Sequence, residues 1–243
     1  MGDGAGHRPI LVLQHAGCET PGVYEDELIA RKLPFVRVLL DEGEELPDWR
    51  AYSAIVVMGG AMGADQEERH PWLALEKRLI AEAVTAGASY WGVCLGAQLL
   101  AASLGARVVP APTHELGVLS VELTDAARAD PVFAELPPTF ETLQWHRETY
   151  ELPPGAVQLA RSVDCEQQAF VLGRAYALQF HLEVDASQIG RWLDVQAYVD
   201  ELEQLLGSDA PAGLLAQVER VERESVPIAR ELFARWLERV VGV

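Results

Sequence analysis

A short apolar run at residues 88–93 passes through Gly92-Val93-Cys94-Leu95-Gly96 directly into residues 97–104, which have the composition of a buried helix. A strand that feeds a helix through so short a bend leaves the chain few alternatives. The bend is tight, its central residue stands above the end of the sheet, and any larger neighbour would crowd it. With cysteine at the centre, the first turn of the new helix directs unpaired N–H groups and a partial positive charge at sulfur, which favours thiolate over thiol. A lone cysteine on a core strand is more often a small buried hydrophobe than a reagent. The rest of the chain decides between these readings.

Two further segments end apolar strands in a similar way. In Ala177-Leu178-Gln179-Phe180-His181-Leu182-Glu183-Val184 the alternation predicts a strand ending at His181. Residues two apart on an extended segment face the same side, so Glu183 falls beside the His181 imidazole. A carboxylate there fixes the tautomer and steadies the imidazolium that forms when the histidine takes a proton from sulfur. Residues 54–58 form a third apolar strand, followed by Gly59-Gly60-Ala61-Met62-Gly63. Small residues at such a turn let backbone N–H groups approach a developing oxyanion, and Gly60 and Leu95 are the expected donors. The G-x-G-x-x-G spacing of a dinucleotide site is absent.

Strands are expected at residues 9–14, 35–40, 54–58 and 88–93, with helices at 25–32, 71–86 and 97–104. The helix at 71–86 should bury Leu73, Leu75, Leu79, Ile80, Ala83 and Val84. Alternating strands and helices predict an α/β fold, a doubly wound and mostly parallel sheet flanked by helices. Its site would lie at the carboxyl ends of the strands. Residues 108–179 turn strand-rich, with strands at 116–123, 140–145, 157–162 and 169–179. A helical C-terminal extension, 185–243, is expected to break near Pro211 and again at Pro227. The chain is read as one domain, 1–243, with its core at about 9–184.

The formal net charge of −18 argues against nucleic acid as a partner, because phosphate binding needs a basic face. Charged residues or glycines interrupt every apolar run before it reaches membrane-spanning length. The N-terminal stretch, residues 1–8, lacks the apolar segment of a secretion signal. Cys18, Cys94 and Cys165 are too few and too scattered for a disulfide framework or a C-x-x-C metal site, so a reducing cytoplasm is expected. His114-Glu115 has no second histidine at zinc-protease spacing, and no metal is expected. His15, with Cys18 three residues on, is assigned a loop role, and His70 a structural one.

Taken together these segments resemble the class I glutamine amidotransferases, the triad type whose glutaminase domain also occurs in GMP synthetase. The resemblance runs from about residue 9 to 184 and rests on four pieces in order: Gly59-Gly60, Gly92-Val93-Cys94-Leu95-Gly96-Ala97-Gln98, Gln168-Ala169-Phe170 and Leu178-Gln179-Phe180-His181-Leu182-Glu183. His70-Pro71-Trp72-Leu73 and Gln144-Trp145-His146 look most like the free-standing members. Ala61 and Leu182 stand where proline is common, and Arg147 where small residues are frequent.

The resemblance implies a triad of Cys94, His181 and Glu183 acting through a γ-glutamyl thioester, with no cofactor. Gly59, Gln98, Trp145 and His146 would line the substrate, which is glutamine or a γ-glutamyl small molecule. Three readings follow: a free amidotransferase with an ammonia-accepting synthetase partner, a stand-alone hydrolase of γ-glutamyl peptides or amines, and a non-catalytic binding protein of the same fold. Arg147 is expected either to point inward and favour an extra substrate carboxylate, or to pair with Glu148 on the surface.

Overall fold

The computed structural model describes residues 7–243, so residues 1–6 of the N-terminal stretch lie outside it. Its centre is one sheet of nine strands in the order β2-β1-β3-β4-β9-β8-β7-β5-β6. The first half is parallel: β2 (Phe35–Leu39), β1 (Ile10–Gln14), β3 (Ala54–Val57), β4 (Ser89–Val93) and β9 (Ala175–Leu178). Strands β1, β3 and β4 are buried along their whole length, as continuous apolar runs in a doubly covered sheet should be. Antiparallel pairing extends the sheet through β8 (Ala169–Leu172), β7 (Val157–Arg161), β5 (Val108–Leu123) and β6 (Thr139–Tyr150).

Alternate residues of the central strands supply two cores. On one face Val12, Val56, Trp91 and Tyr176 pack against α1 (Val23–Ala30) and α6 (Ala210–Trp236). On the other, Leu11, Leu13, Ile55 and Val57 meet α2 (Trp72–Thr85) and α3 (Leu95–Ser103). This is the expected doubly wound arrangement with flanking helices. A third cluster joins Leu143 to α4 (Ala186–Leu193), α5 (Gln196–Leu206) and α6 through Ile189, Trp192, Leu202 and Val218. No described helix is long and apolar enough to cross a membrane.

Four expectations need correction. Residues 169–179 are a hairpin, β8 and β9, turning at Gly173 with φ +59°. Strand β9 ends at Leu178, so His181 lies beyond it, tied to the sheet by one bridge to Leu143. In α2, Leu75 is 52% exposed while Glu76 is fully buried. Helix α6 runs through Pro227 without ending, because Ala229, Leu232, Phe233 and Trp236 anchor the following turns in the core. Packing outweighs the loss of one N–H here. Pro211 sits in the first turn of α6, where its missing donor costs nothing.

Trp236 closes the first core, its ring 5.4 Å from Trp91 and 5.3 Å from Phe233. Trp236→Ala should therefore destabilise the fold by about 3–5 kcal/mol. Urea unfolding measures it; a shift below about 0.5 kcal/mol, the range of surface changes, would remove α6 from the core.

Candidate functional site

Cys94 caps α3 at the end of β4 with φ +50° and ψ −106°, a positive-φ conformation that few L-residues adopt. The surroundings impose it. A Cβ on Gly92 would meet the Gly96 carbonyl group at 2.7 Å, so the two glycines close the bend against each other. The Cys94 N–H donates to Leu178 O at 2.7 Å, and Tyr90 Oη donates to Gly96 O at 2.8 Å. The sulfur is left at the mouth of the bend, where Gln179 Nε2 approaches it at 3.6 Å and Trp145 O lies 3.8 Å away.

His181 arrives on the irregular segment after β9. Its N–H donates to Leu143 O, and Thr142 Oγ1 donates to its carbonyl at 2.8 Å, so the backbone is held on both sides. Nδ1 donates to Glu183 Oε1 at 2.7 Å, with both side chains 2% exposed. The expected pair thus forms, although by a loop rather than a strand. Burial alone would lower the basicity of His181, but the Glu183 carboxylate and the Cys94 sulfur prevail and hold it well above its ordinary value. Trp192 stands edge-on to the ring at 5.1 Å.

The Gly59-Gly60 turn follows β3 and lies beside both groups: a Cβ on Gly59 would come 3.2 Å from His181 Cε1 and 3.6 Å from Cys94 Cβ. Among the described residues neither the Gly60 nor the Leu95 N–H donates to another group. His15, at the end of β1, holds the turn from below. Its Nδ1 donates to Gly59 O at 2.9 Å, and its Nε2 lies 3.0 Å from Glu76 Oε1.

A cleft of about 300 Å³ opens over these groups and is lined by Gly60, Cys94, Gln98, Trp145, His146 and His181 among others. The other expected substrate residue, Gly59, stays in the turn beneath. Gln98 Nε2 is taken up by Glu148 O and Gln179 Oε1, each at 3.3 Å, so Gln98 steadies the amide that faces sulfur. His146 reaches the cleft wall with both ring nitrogens engaged, by Glu148 O at 3.0 Å and Glu115 Oε2 at 2.9 Å. Its imidazole therefore has no nitrogen free for a substrate. Arg147 pairs through Nε with Glu201 at 3.3 Å instead of with Glu148, and remains at the cleft rim.

Several residues of the cleft carry no signal in the sequence. Glu19 lines the cleft and accepts from Tyr198 Oη at 2.5 Å, and burial pushes its carboxyl above the usual range. Trp192, Tyr198 and Glu201 bring the C-terminal helices into the cleft wall. Glu76 and Glu115 partner histidines 61 and 31 positions away, distances at which sequence does not reveal pairing. Donor atoms of Glu115, His146 and Cys165 lie within 4.8 Å of one another, a geometry that invites a metal. Those atoms are already engaged: Glu115 accepts from His146, Ser162 and Gln168, which hold it below the ordinary carboxylate range against the effect of burial.

The family model described as glutamine amidotransferase class-I matches residues 26–194. A crystal structure of a glutamine amidotransferase from Thermotoga maritima superimposes with a TM-score of 0.87 at 36% identity, covering 98% of this chain and 99% of that one. A glutamine amidotransferase-like protein of Salmonella typhimurium is 34% identical over 58% of this chain and 61% of its own length. One subunit of a glutamine-hydrolysing GMP synthase from Thermoplasma volcanium is 30% identical over 76% of this chain and 81% of that one. The chain thus spans less than two thirds of the Salmonella protein, and 30% of full-length GMP synthases that it matches.

The surroundings of the three thiols differ. Burial pushes Cys18 and Cys165 up, whereas Cys94 sits at a helix N-terminus beside a strongly basic imidazole. Iodoacetamide at neutral pH should modify Cys94 first, although Cys18 is the more exposed. Peptide mapping after partial reaction decides it; modification chiefly at Cys18 contradicts the arrangement.

Proposed function

We propose, for a chain that belongs to the glutamine amidotransferase class-I family, that the cleft hydrolyses the side-chain amide of glutamine or of a γ-glutamyl compound through a thioester on Cys94. One observation carries the reading: the strained cysteine, the His181–Glu183 pair and the unpaired N–H groups of Gly60 and Leu95 belong to one site. Each part alone has a structural explanation. Together they are the components of nucleophilic acyl transfer.

Cys94 sulfur, as thiolate, attacks the amide carbon, and the carbonyl oxygen takes up the negative charge between the Gly60 and Leu95 donors. One such donor contributes about 2.7–4 kcal/mol to the transition state. His181 gives its proton to the leaving nitrogen, the C–N bond breaks, and ammonia or an amine departs from a γ-glutamyl thioester. His181, now neutral, takes a proton from water, whose oxygen attacks the same carbon and releases glutamate and the thiolate. Glu183 orients the imidazole and steadies its charge without exchanging protons. Gln179, held by Gln98, donates to the thiolate and lowers the cost of regenerating it.

Residues 185–243 belong to the catalytic unit in this account, because Trp192, Tyr198 and Glu201 wall the cleft. Transfer of the ammonia to a separate synthetase is a second reading, supported by the Thermoplasma relative, which is one part of a GMP synthase. A reducing compartment such as the cytoplasm suits three free cysteines, one of them the nucleophile. Ammonia release from glutamine by the lone protein, compared with release from γ-glutamyl peptides and amines, separates the readings. Failure on every amide refutes hydrolysis by the unpartnered chain. Because Arg147 is already paired with Glu201, Arg147→Ala should change kcat/KM for glutamine and for γ-glutamyl dipeptides by the same factor; a selective loss on dipeptides would restore its role in reading a carboxylate.

His181→Ala should lower kcat by about 10⁴-fold or more, with Glu183→Gln between about ten and a hundred times more active than that variant. The pH profile carries a sign. His181 titrates above its ordinary value, so kcat/KM should fall on the alkaline side as the imidazolium loses its proton. Glu183→Gln removes the charge that raises it, and the falling limb should move to lower pH. A limb that stays in place, or moves upward, contradicts the assignment.

A further inference from the structure

We propose that the buried His15–Glu76 pair sets the oxyanion hole: it clamps the Gly59 carbonyl and thereby aims the N–H at the other end of the same peptide group, that of Gly60, into the cleft. The inference rests on the hydrolytic reading above and adds two positioning residues that touch no reacting atom.

Three elements bring the parts together. His15 follows β1, Gly59 follows the neighbouring β3, and Glu76 stands on the buried face of α2. No described peptide bond is cis, so the C=O of Gly59 and the N–H of Gly60 point in opposite directions from one rigid plane. Fixing either end fixes the other. Gly59 O accepts from His15 Nδ1 at 2.9 Å, and a carbonyl has no proton to give, so Nδ1 carries the hydrogen. Nε2 faces both oxygens of Glu76, at 3.0 and 3.2 Å, and donates to them. The ring therefore holds two protons and a positive charge. Burial opposes that charge, but Glu76 outweighs it, and His15 stays more basic than an ordinary histidine.

A charged donor does more than hold the carbonyl. Hydrogen bonds from an ionised group are stronger than neutral ones, and this one draws electron density toward Gly59 O, leaving the Gly60 N–H a better donor. The rest of the pocket keeps the clamp still. Trp72 stacks on the His15 ring at 5.4 Å with planes 12° apart, and a Cβ on Gly60 would strike His15 Cβ at 2.9 Å. A peptide between two glycines rotates easily, and if this one turned over it would present its carbonyl to the oxyanion. Packing alone does not require an ion pair beneath it, since apolar groups of similar volume usually serve stability as well.

That last fact supplies the test. In the double variant His15→Phe with Glu76→Leu, apolar groups replace both partners, a ring remains for Trp72 to stack on, and the donor to Gly59 is gone. Two rates are compared with wild type: glutamine hydrolysis, and alkylation of Cys94 by iodoacetamide, a displacement that develops no oxyanion at Gly60. We expect kcat to fall about a hundredfold, with KM and the alkylation rate unchanged. Glu76→Gln, in which a neutral His15 still donates from Nδ1, should fall between. Wild-type kcat in the double variant overturns the proposal, and so does a parallel loss of alkylation, which is what a merely structural role would give. If the double variant does not fold, Glu76→Gln decides alone, by lowered kcat with unchanged alkylation in support or unchanged kcat against. A wild-type protein inactive on glutamine and on every γ-glutamyl amide overturns the hydrolytic reading, and this inference with it.

Discussion

The backbone of Cys94 is the constraint on which the other parts depend. A φ of +50° in a residue other than glycine costs on the order of 1–3 kcal/mol, and it persists only where the surroundings over-determine it. Here they do so from every side. Gly92 and Gly96 close on each other, Leu178 takes the Cys94 N–H, and Tyr90 reaches over to hold the carbonyl of Gly96. Without that bend the sulfur would turn into the core with the rest of β4, whose five residues are all buried. The position of β9 follows from the same contact. Leu178 must lie beside Cys94 to accept its N–H, and the chain that continues from Leu178 delivers His181 a few residues later.

Electrostatics give the site its second level of order. Three buried histidines each meet a buried carboxylate: His15 with Glu76, His146 with Glu115, and His181 with Glu183. In such surroundings a lone charge is costly and a matched pair is rigid, because losing either partner leaves the other unpaired. Each pair fixes a different wall of the cleft. One lies under the glycine turn, one joins β5 to β6 beside Trp145, and one serves the sulfur directly.

Much of this is legible in the sequence, for reasons that can be stated. Long apolar runs ended by glycine mark the parallel strands, and Cys94, His181 and Glu183 stand out because each belongs to a short local motif. What the sequence hides depends on partners far along the chain. Glu76 on an otherwise apolar face breaks the helical pattern, so Leu75 reads as buried and is exposed; only His15, 61 residues earlier, explains the acid. Residues 169–179 read as one strand because the composition on both sides of Gly173 is equally suited to strand, and a two-residue turn leaves little trace. Pro227 reads as a helix end because local propensity cannot weigh the core packing of the turns that follow it. The C-terminal wall is invisible for the same reason: Tyr198 gains its meaning from Glu19, 179 residues earlier in the chain.

The central claim is covalent catalysis at Cys94, and trapping the intermediate tests it most directly. Wild-type protein mixed with excess glutamine, quenched in acid within the first turnovers and digested, should yield the peptide containing Cys94 with a γ-glutamyl group attached, and hydroxylamine should remove that group as expected of a thioester. Glutamine turnover with no adduct, or an adduct carried by Cys18 or Cys165, would contradict the account.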